Sequence, residues 1–170
     1  MKRILIATLL LAACKEEVAV APDPVSFTDE TLAHFCAMNV AEHGGPKGQI
    51  HLEGIPEPLF FAQVRDAVAY LKSPERDAAI VATYVTDMGK AASWDEPGPT
   101  NWTAADTAVF VVEAEVAGGM GAPEIVPFAD PAEAEAFISR YGGRAVPLAE
   151  IPDEAALAPI DLDAKLETPS

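Results

Sequence analysis

The residues best suited to chemistry lie in one short stretch, His34-Phe35-Cys36-Ala37-Met38-Asn39-Val40-Ala41-Glu42-His43. A thiol and a thioether stand two residues apart, with one imidazole upstream and another downstream. If residues 36–40 are extended, Cys36 and Met38 project from the same face, because side chains alternate along a strand. A thiolate and a thioether side by side form a soft donor pair, which selects Cu(I) over the harder divalent ions. Cu(I) accepts two or three ligands, so no four-residue cage is required. Zinc would want more Cys and His at closed tetrahedral spacing, a pattern this sequence lacks. Taken singly, each residue has an ordinary explanation: a methionine packs a core, and a histidine sits at a surface or in a hydrogen bond. The combination is what points to a metal. A third ligand is available in Met120, within Gly118-Gly119-Met120-Gly121, and in Met88, within Asp87-Met88-Gly89. Both lie in loops that bury a methionine poorly, and His34 and His43 stay open as alternatives.

The significance of Cys36 depends on where the chain resides. Lys2 and Arg3 precede an apolar run, residues 4–13, interrupted only by Thr8. Ten helical residues span about 15 Å, half of a bilayer core, so the run reads as a secretion signal and not as a membrane span. It ends in Leu11-Ala12-Ala13-Cys14, the pattern of a bacterial lipobox, which makes residues 1–13 a lipoprotein signal peptide and Cys14 the lipidated N-terminus. Lys15 in the next position favours the outer membrane by the usual sorting pattern. The chain has two cysteines. With Cys14 consumed by lipid, Cys36 is left without a partner in a compartment that permits disulfides. A lone thiol there is either buried and inert or it has chemistry to perform.

Charge narrows the partners. Removing Lys2 and Arg3 leaves 9 basic against 27 acidic residues, a net charge of 9 − 27 = −18. Such a surface repels nucleic acid and anionic lipid headgroups. It suits a partner with a basic patch, reached by electrostatic steering, and it equally suits a plain acidic periplasmic surface.

Several elements must position these residues. Residues 14–30 read as the lipidated Cys and a Pro- and Ala-rich tether, with the folded body starting near Thr31. Two helices are expected. The first covers residues 63–72, with Val64, Ala67, Val68 and Leu71 on one face; the second covers residues 131–141, with Ala134, Phe137, Ile138 and Tyr141. Asp130, Pro131 and Gly142-Gly143 mark the ends of the second. Strands are expected at 48–52, 59–61, 79–85, 107–113, 124–128 and 144–148. A repeat at an offset of 67 residues aligns Phe61-Ala62 with Phe128-Ala129, and Ala67, Ala69, Tyr70 and Leu71 with Ala134, Ala136, Phe137 and Ile138. The expected fold is α+β: two related ββαβ halves packed together, residues 31–90 and 91–150. Residues 87–103 join them, and residues 151–170 form an acidic tail that holds a helical turn or two before a loose end. The seam between halves is a natural ligand site.

The sequence resembles the NosL family, copper-binding lipoproteins that serve maturation of nitrous oxide reductase. The resemblance spans nearly the whole chain. It rests on the lipobox, on His34-x-Cys36-x-Met38, and on Glu42-His43-x-Gly45-Pro46-Lys47-Gly48-Gln49-Ile50. Val64-Arg65-Asp66-Ala67, Met120-Gly121 with Pro127-Phe128, and Tyr141-Gly142-Gly143 add to it. Ala37 departs from the family, which more often has Gly there, and Gly44 is a second point of variation. The resemblance implies a periplasm-facing Cu(I) metallochaperone, not an enzyme. It would hold copper at Cys36 and Met38, with Met120 matching a family Met-Gly motif. Copper would pass through a membrane-bound maturation complex toward the copper-sulfide centre of nitrous oxide reductase. Two other functions compete: a thiol enzyme pairing Cys36 with His34 or His43, and a structural lipoprotein with a buried Cys36.

Overall fold

The computed structural model describes residues 21–161 and 165–169. The signal peptide, Cys14 and the first residues of the tether lie outside them. The first half is built from strands β1 (Gly48–Leu52) and β2 (Leu59–Phe61), helix α1 (Val64–Lys72) and strand β3 (Ile80–Thr86). The second repeats that order with β5 (Val109–Val112), β6 (Val126–Phe128), α2 (Pro131–Tyr141) and β7 (Arg144–Pro147). In each sheet the first strand is central, flanked on one side by its hairpin partner and on the other by the strand after the helix. All pairings are antiparallel. The 67-residue offset superimposes Phe61 on Phe128, the last residues of β2 and β6, and Val64 on Pro131, the first residues of the two helices.

Burial follows the apolar faces. On α1, Val64, Ala67 and Val68 are buried, together with Arg65 and Tyr70. The helix lies so close to its sheet at Gly48 that a Cβ there would sit 2.7 Å from the Ala67 Cβ, so only glycine fits. One side of α1 packs on Ile50, Leu52 and Phe61 of its own sheet. The other side, through Val64 and Val68, shares a core with Phe110, Val112, Ile125 and Val146 of the second half. On α2 the Asp130 carboxylate accepts from the Ala132 N–H at 2.9 Å, and Gly142, at φ +71°, ends the helix. Both devices match the expectation.

Three expectations need correction. The connector 87–103 runs into a seventh strand, β4 (Trp102–Ala104), paired with the edge of β3. Three residues beside Asn101, Thr100 and Pro99 are too few to display alternation. The segment expected as tether is also part of the body from its first described residues. The Gln49 side chain donates to the Val25 carbonyl at 2.9 Å and accepts from its N–H at 2.8 Å. Tyr84 Oη donates to the Pro22 carbonyl, and Phe27 is buried against Trp102. Residues 22–27 thus form a strap over the sheet. Lastly, helix α3 (Asp153–Leu157) is the helical turn expected in the C-terminal tail and buries Ala156 in the shared core, but the end beyond it is not loose throughout: Glu167 bonds through its backbone to Glu115 and Ala117.

Candidate metal centre

Cys36 and Met38 are held on a tight loop, not on a strand. Leu32 and Asn39 face each other across an isolated bridge. Within it the Ala33 N–H donates to the Met38 carbonyl at 2.8 Å, and the Ala37 N–H donates to the Ala33 carbonyl at 2.9 Å. The chain reverses at Ala37, whose φ is +54°. That left-handed conformation costs an L-residue about 1–2 kcal/mol. It explains why glycine would be at home there. The extended reading fails because Asn39 prefers a cap. Its side-chain oxygen accepts from the Ala41 N–H at 2.9 Å and starts a 3-10 turn over Val40–Glu42, while its amide donates to the Asp29 carbonyl. The His34 N–H, bonded to the Phe60 carbonyl at 2.7 Å, fastens the loop to β2.

The loop sets the sulfurs at different depths. Cys36 is a free, half-buried thiol resting on Phe27, Ala33, Val40 and Ala62. Met38 is 44% exposed. A thiol shielded on one side, followed two residues on by an open thioether, supplies soft donors that can hold a soft ion while leaving a face for exchange.

The other candidates separate clearly. Met88 packs into the second half's core with Phe128 and Phe137, which accounts for it as a packing residue. Met120 is 42% exposed at the tip of a hairpin loop. That loop is closed by Gly118 N–H to the Ala122 carbonyl and Gly121 N–H to the Gly118 carbonyl, both 2.8 Å. It docks on the first half: a Cβ on Gly119 would come within 2.6 Å of the Gly44 carbonyl oxygen and 2.7 Å of the His43 Cβ. The His43 Nδ1 lies 3.4 Å from the Gly119 carbonyl oxygen, and its Nε2 is buried without a hydrogen-bond partner among the described residues. The His34 ring sits edge-on to Phe61 and Tyr70, with centroids 5.7 and 5.5 Å away.

Beneath these loops lies a buried polar cluster that the sequence did not single out. Lys47 is fully buried, and its Nζ donates to the carbonyls of His43, Gly44 and Ala62. Burial pulls its pKa down to about 8, against the opposing pull of the Glu124 charge. Glu124 is 2% exposed; burial pushes its pKa up to about 8, although the N–H groups of Arg65 and Ile125 both donate to Oε1. Gln63, also buried, accepts the Met120 N–H on Oε1 at 3.0 Å. A lysine before an expected strand and a glutamine at the start of an expected helix look like surface residues, so only Lys47 carried any signal, through its place in Gly45-Pro46-Lys47-Gly48.

The NosL family model matches residues 24–156. The chain belongs to the NosL family. It is 54% identical over 156 residues to a copper-binding lipoprotein NosL of Achromobacter cycloclastes, covering 91% of this chain and 81% of the relative. A copper-binding lipoprotein NosL of Stutzerimonas stutzeri is 33% identical over 159 residues, covering 90% and 80%. Among solved structures, the crystal structure of the copper chaperone NosL from Shewanella denitrificans superimposes with a TM-score of 0.71 at 31% identity. It covers 76% of this chain and 95% of that one. The solution structure of apo-NosL from Achromobacter cycloclastes gives a TM-score of 0.51 at 51% identity, over 71% and 97%. The α+β architecture with its two sheets is therefore that of the NosL family.

Proposed function

We propose that this protein is a carrier of Cu(I), not an enzyme. It takes one ion on Cys36 and Met38, with Met120 as the third ligand. The observation that carries the reading is a half-buried free thiol two residues from an exposed thioether, in a chain whose relatives are named for copper. The Cys36 thiolate supplies most of the affinity, and its proton leaves as the metal binds. Met38 and Met120 are neutral, soft donors open to solvent, which an incoming ligand can replace one at a time. His34 is occupied by ring contacts and His43 faces the Gly119 carbonyl, so neither is set as a base for a thiol enzyme. The recipient is a membrane-bound complex that assembles the copper-sulfide centre of nitrous oxide reductase. Lipid on Cys14 holds the carrier on the periplasmic side of the membrane and raises its effective concentration near that complex.

The test is an anaerobic Cu(I) titration of the purified protein against a competing Cu(I) chelator. One ion per chain is expected, with tight binding lost in Cys36→Ser and weakened less in Met38→Ala. Undiminished affinity in Cys36→Ser would sink the proposal.

A further inference from the structure

We propose that Gln63 is a positioning residue: its side chain, gripping the Met120 backbone from the first half, sets the distance at which Met120 reaches the copper held by Cys36 and Met38. The inference rests on the reading above, with Met120 as a ligand.

The argument starts at the N-terminus of α1. Gln63 occupies the N-cap position, where a side chain ordinarily satisfies one of the helix's orphan N–H groups. It makes no such bond. Instead Oε1 accepts the Met120 N–H, 57 residues away, at 3.0 Å. The helix is capped from the other half: Glu124 Oε1 accepts the Arg65 N–H at 2.9 Å. The two halves thus exchange duties. Glu124 of the second half caps the helix of the first, and Gln63, freed from capping, holds the loop of the second. Both side chains are buried, so neither bond is replaced by water at no cost.

The platform under the loop is equally specific. Gln63 follows Ala62, whose carbonyl is bonded to Lys47 Nζ at 3.1 Å. The same ammonium holds the carbonyls of His43 and Gly44, and Gly119 is pressed against the Gly44 carbonyl and the His43 Cβ. Ala62 also belongs to the apolar cluster supporting Cys36. The grip on Met120, the wall beside Gly119 and the floor under Cys36 therefore meet at one buried lysine. A loop held only for stability would not need its tip methionine exposed, yet Met120 is anchored by its backbone and leaves its thioether free.

The experiment uses the purified full-length protein in detergent micelles. Cu(I) affinity is measured by chelator competition, and sulfur coordination by X-ray absorption. Gln63→Leu keeps most of the volume, removes the acceptor and adds no sulfur. It is expected to lower affinity about 10-fold or more, the usual scale for a group that orients a ligand. Copper–sulfur coordination should fall from three to two, and adding Met120→Ala to Gln63→Leu should cost nothing further. Gln63→Glu, which keeps an acceptor, should restore the third sulfur. Should Gln63→Leu fail to fold, Gly119→Ala serves instead. Its methyl would collide with the Gly44 carbonyl at the exposed loop and displace Met120 without touching Gln63. An unchanged sulfur number, or losses from Gln63→Leu and Met120→Ala that simply add, would overturn the inference. If Cys36→Ser abolishes binding while Gln63→Leu and Gly119→Ala leave it intact, only the positioning role falls. If Cys36→Ser leaves binding intact, the copper site itself falls.

Discussion

Glu124 places a carboxyl where its charge is unwelcome. Its Oε1 is satisfied by two N–H donors, while its Oε2 is buried without a partner among the described residues. Its folded pKa, about 8, lies above the ordinary value of 4.5 for a glutamate. The folded state therefore binds more protons than the unfolded state between those values, and stability falls as pH rises across that window. Glu124→Gln keeps the Oε1 acceptor and removes the titration. The variant should melt close to wild type at pH 5 and several degrees above it at pH 8. Parallel pH profiles of Tm for the two proteins would show that Glu124 is ionised in the fold. Lys47 acts in the opposite sense. Its pKa, lowered to about 8 from 10.5, contributes a rise in stability between pH 8 and 10.5.

The strap over residues 22–27 shows what local pattern can and cannot reveal. Its Pro-rich composition reads as linker, and nothing nearby in sequence announces that Gln49, in the middle of β1, will grip Val25. Gln49→Ala removes both bonds to Val25 and leaves the His51 ring, 3.0 Å from Gln49 Oε1, without that partner. It should cost about 1–3 kcal/mol. Hydrogen exchange at the Val25 amide should accelerate while the β1–β3 ladder stays protected. Loss of protection in the ladder as well would mean that the strap and sheet open together. The elements governed by period were legible: α1 and α2 through their apolar faces, β1 and β2 to the residue, and the repeat through Phe61 and Phe128. Elements made by long-range pairing were not, as β4 shows. At the site, the residue types Cys36, Met38 and Met120 stood out, but their conformation did not. Asn39 as a cap and Ala37 at φ +54° turn an apparent strand into a reversal. Each of Gln63, Lys47 and Glu124 has a partner 15 to 59 residues away that joins it to the site, a distance that local spacing cannot encode.

At the scale of the whole molecule, α1 is the piece that both halves need. Val68 is buried in the core it shares with Phe110, Val112 and Val146, so Val68→Ala should cost roughly 1.5–3 kcal/mol to the entire fold. The two tryptophans sit in different parts of the fold: Trp94 packs on Phe137 of α2 and beside Gly45, and Trp102 belongs to β4 of the first sheet. Denaturant midpoints followed in Trp94→Phe and Trp102→Phe backgrounds should coincide and shift together. Midpoints that separate would show two independent units. The strap has a further consequence at this scale. With lipid on Cys14, a free chain running to Thr31 would reach about 60 Å, but a chain captured at Pro22 reaches only about 28 Å. The volume that the body can sweep above the bilayer shrinks roughly tenfold, since it scales as the cube of that reach. Under the proposed lipid anchoring and copper delivery, the receiving site is expected to stand within that span plus the width of the body above the lipid headgroups.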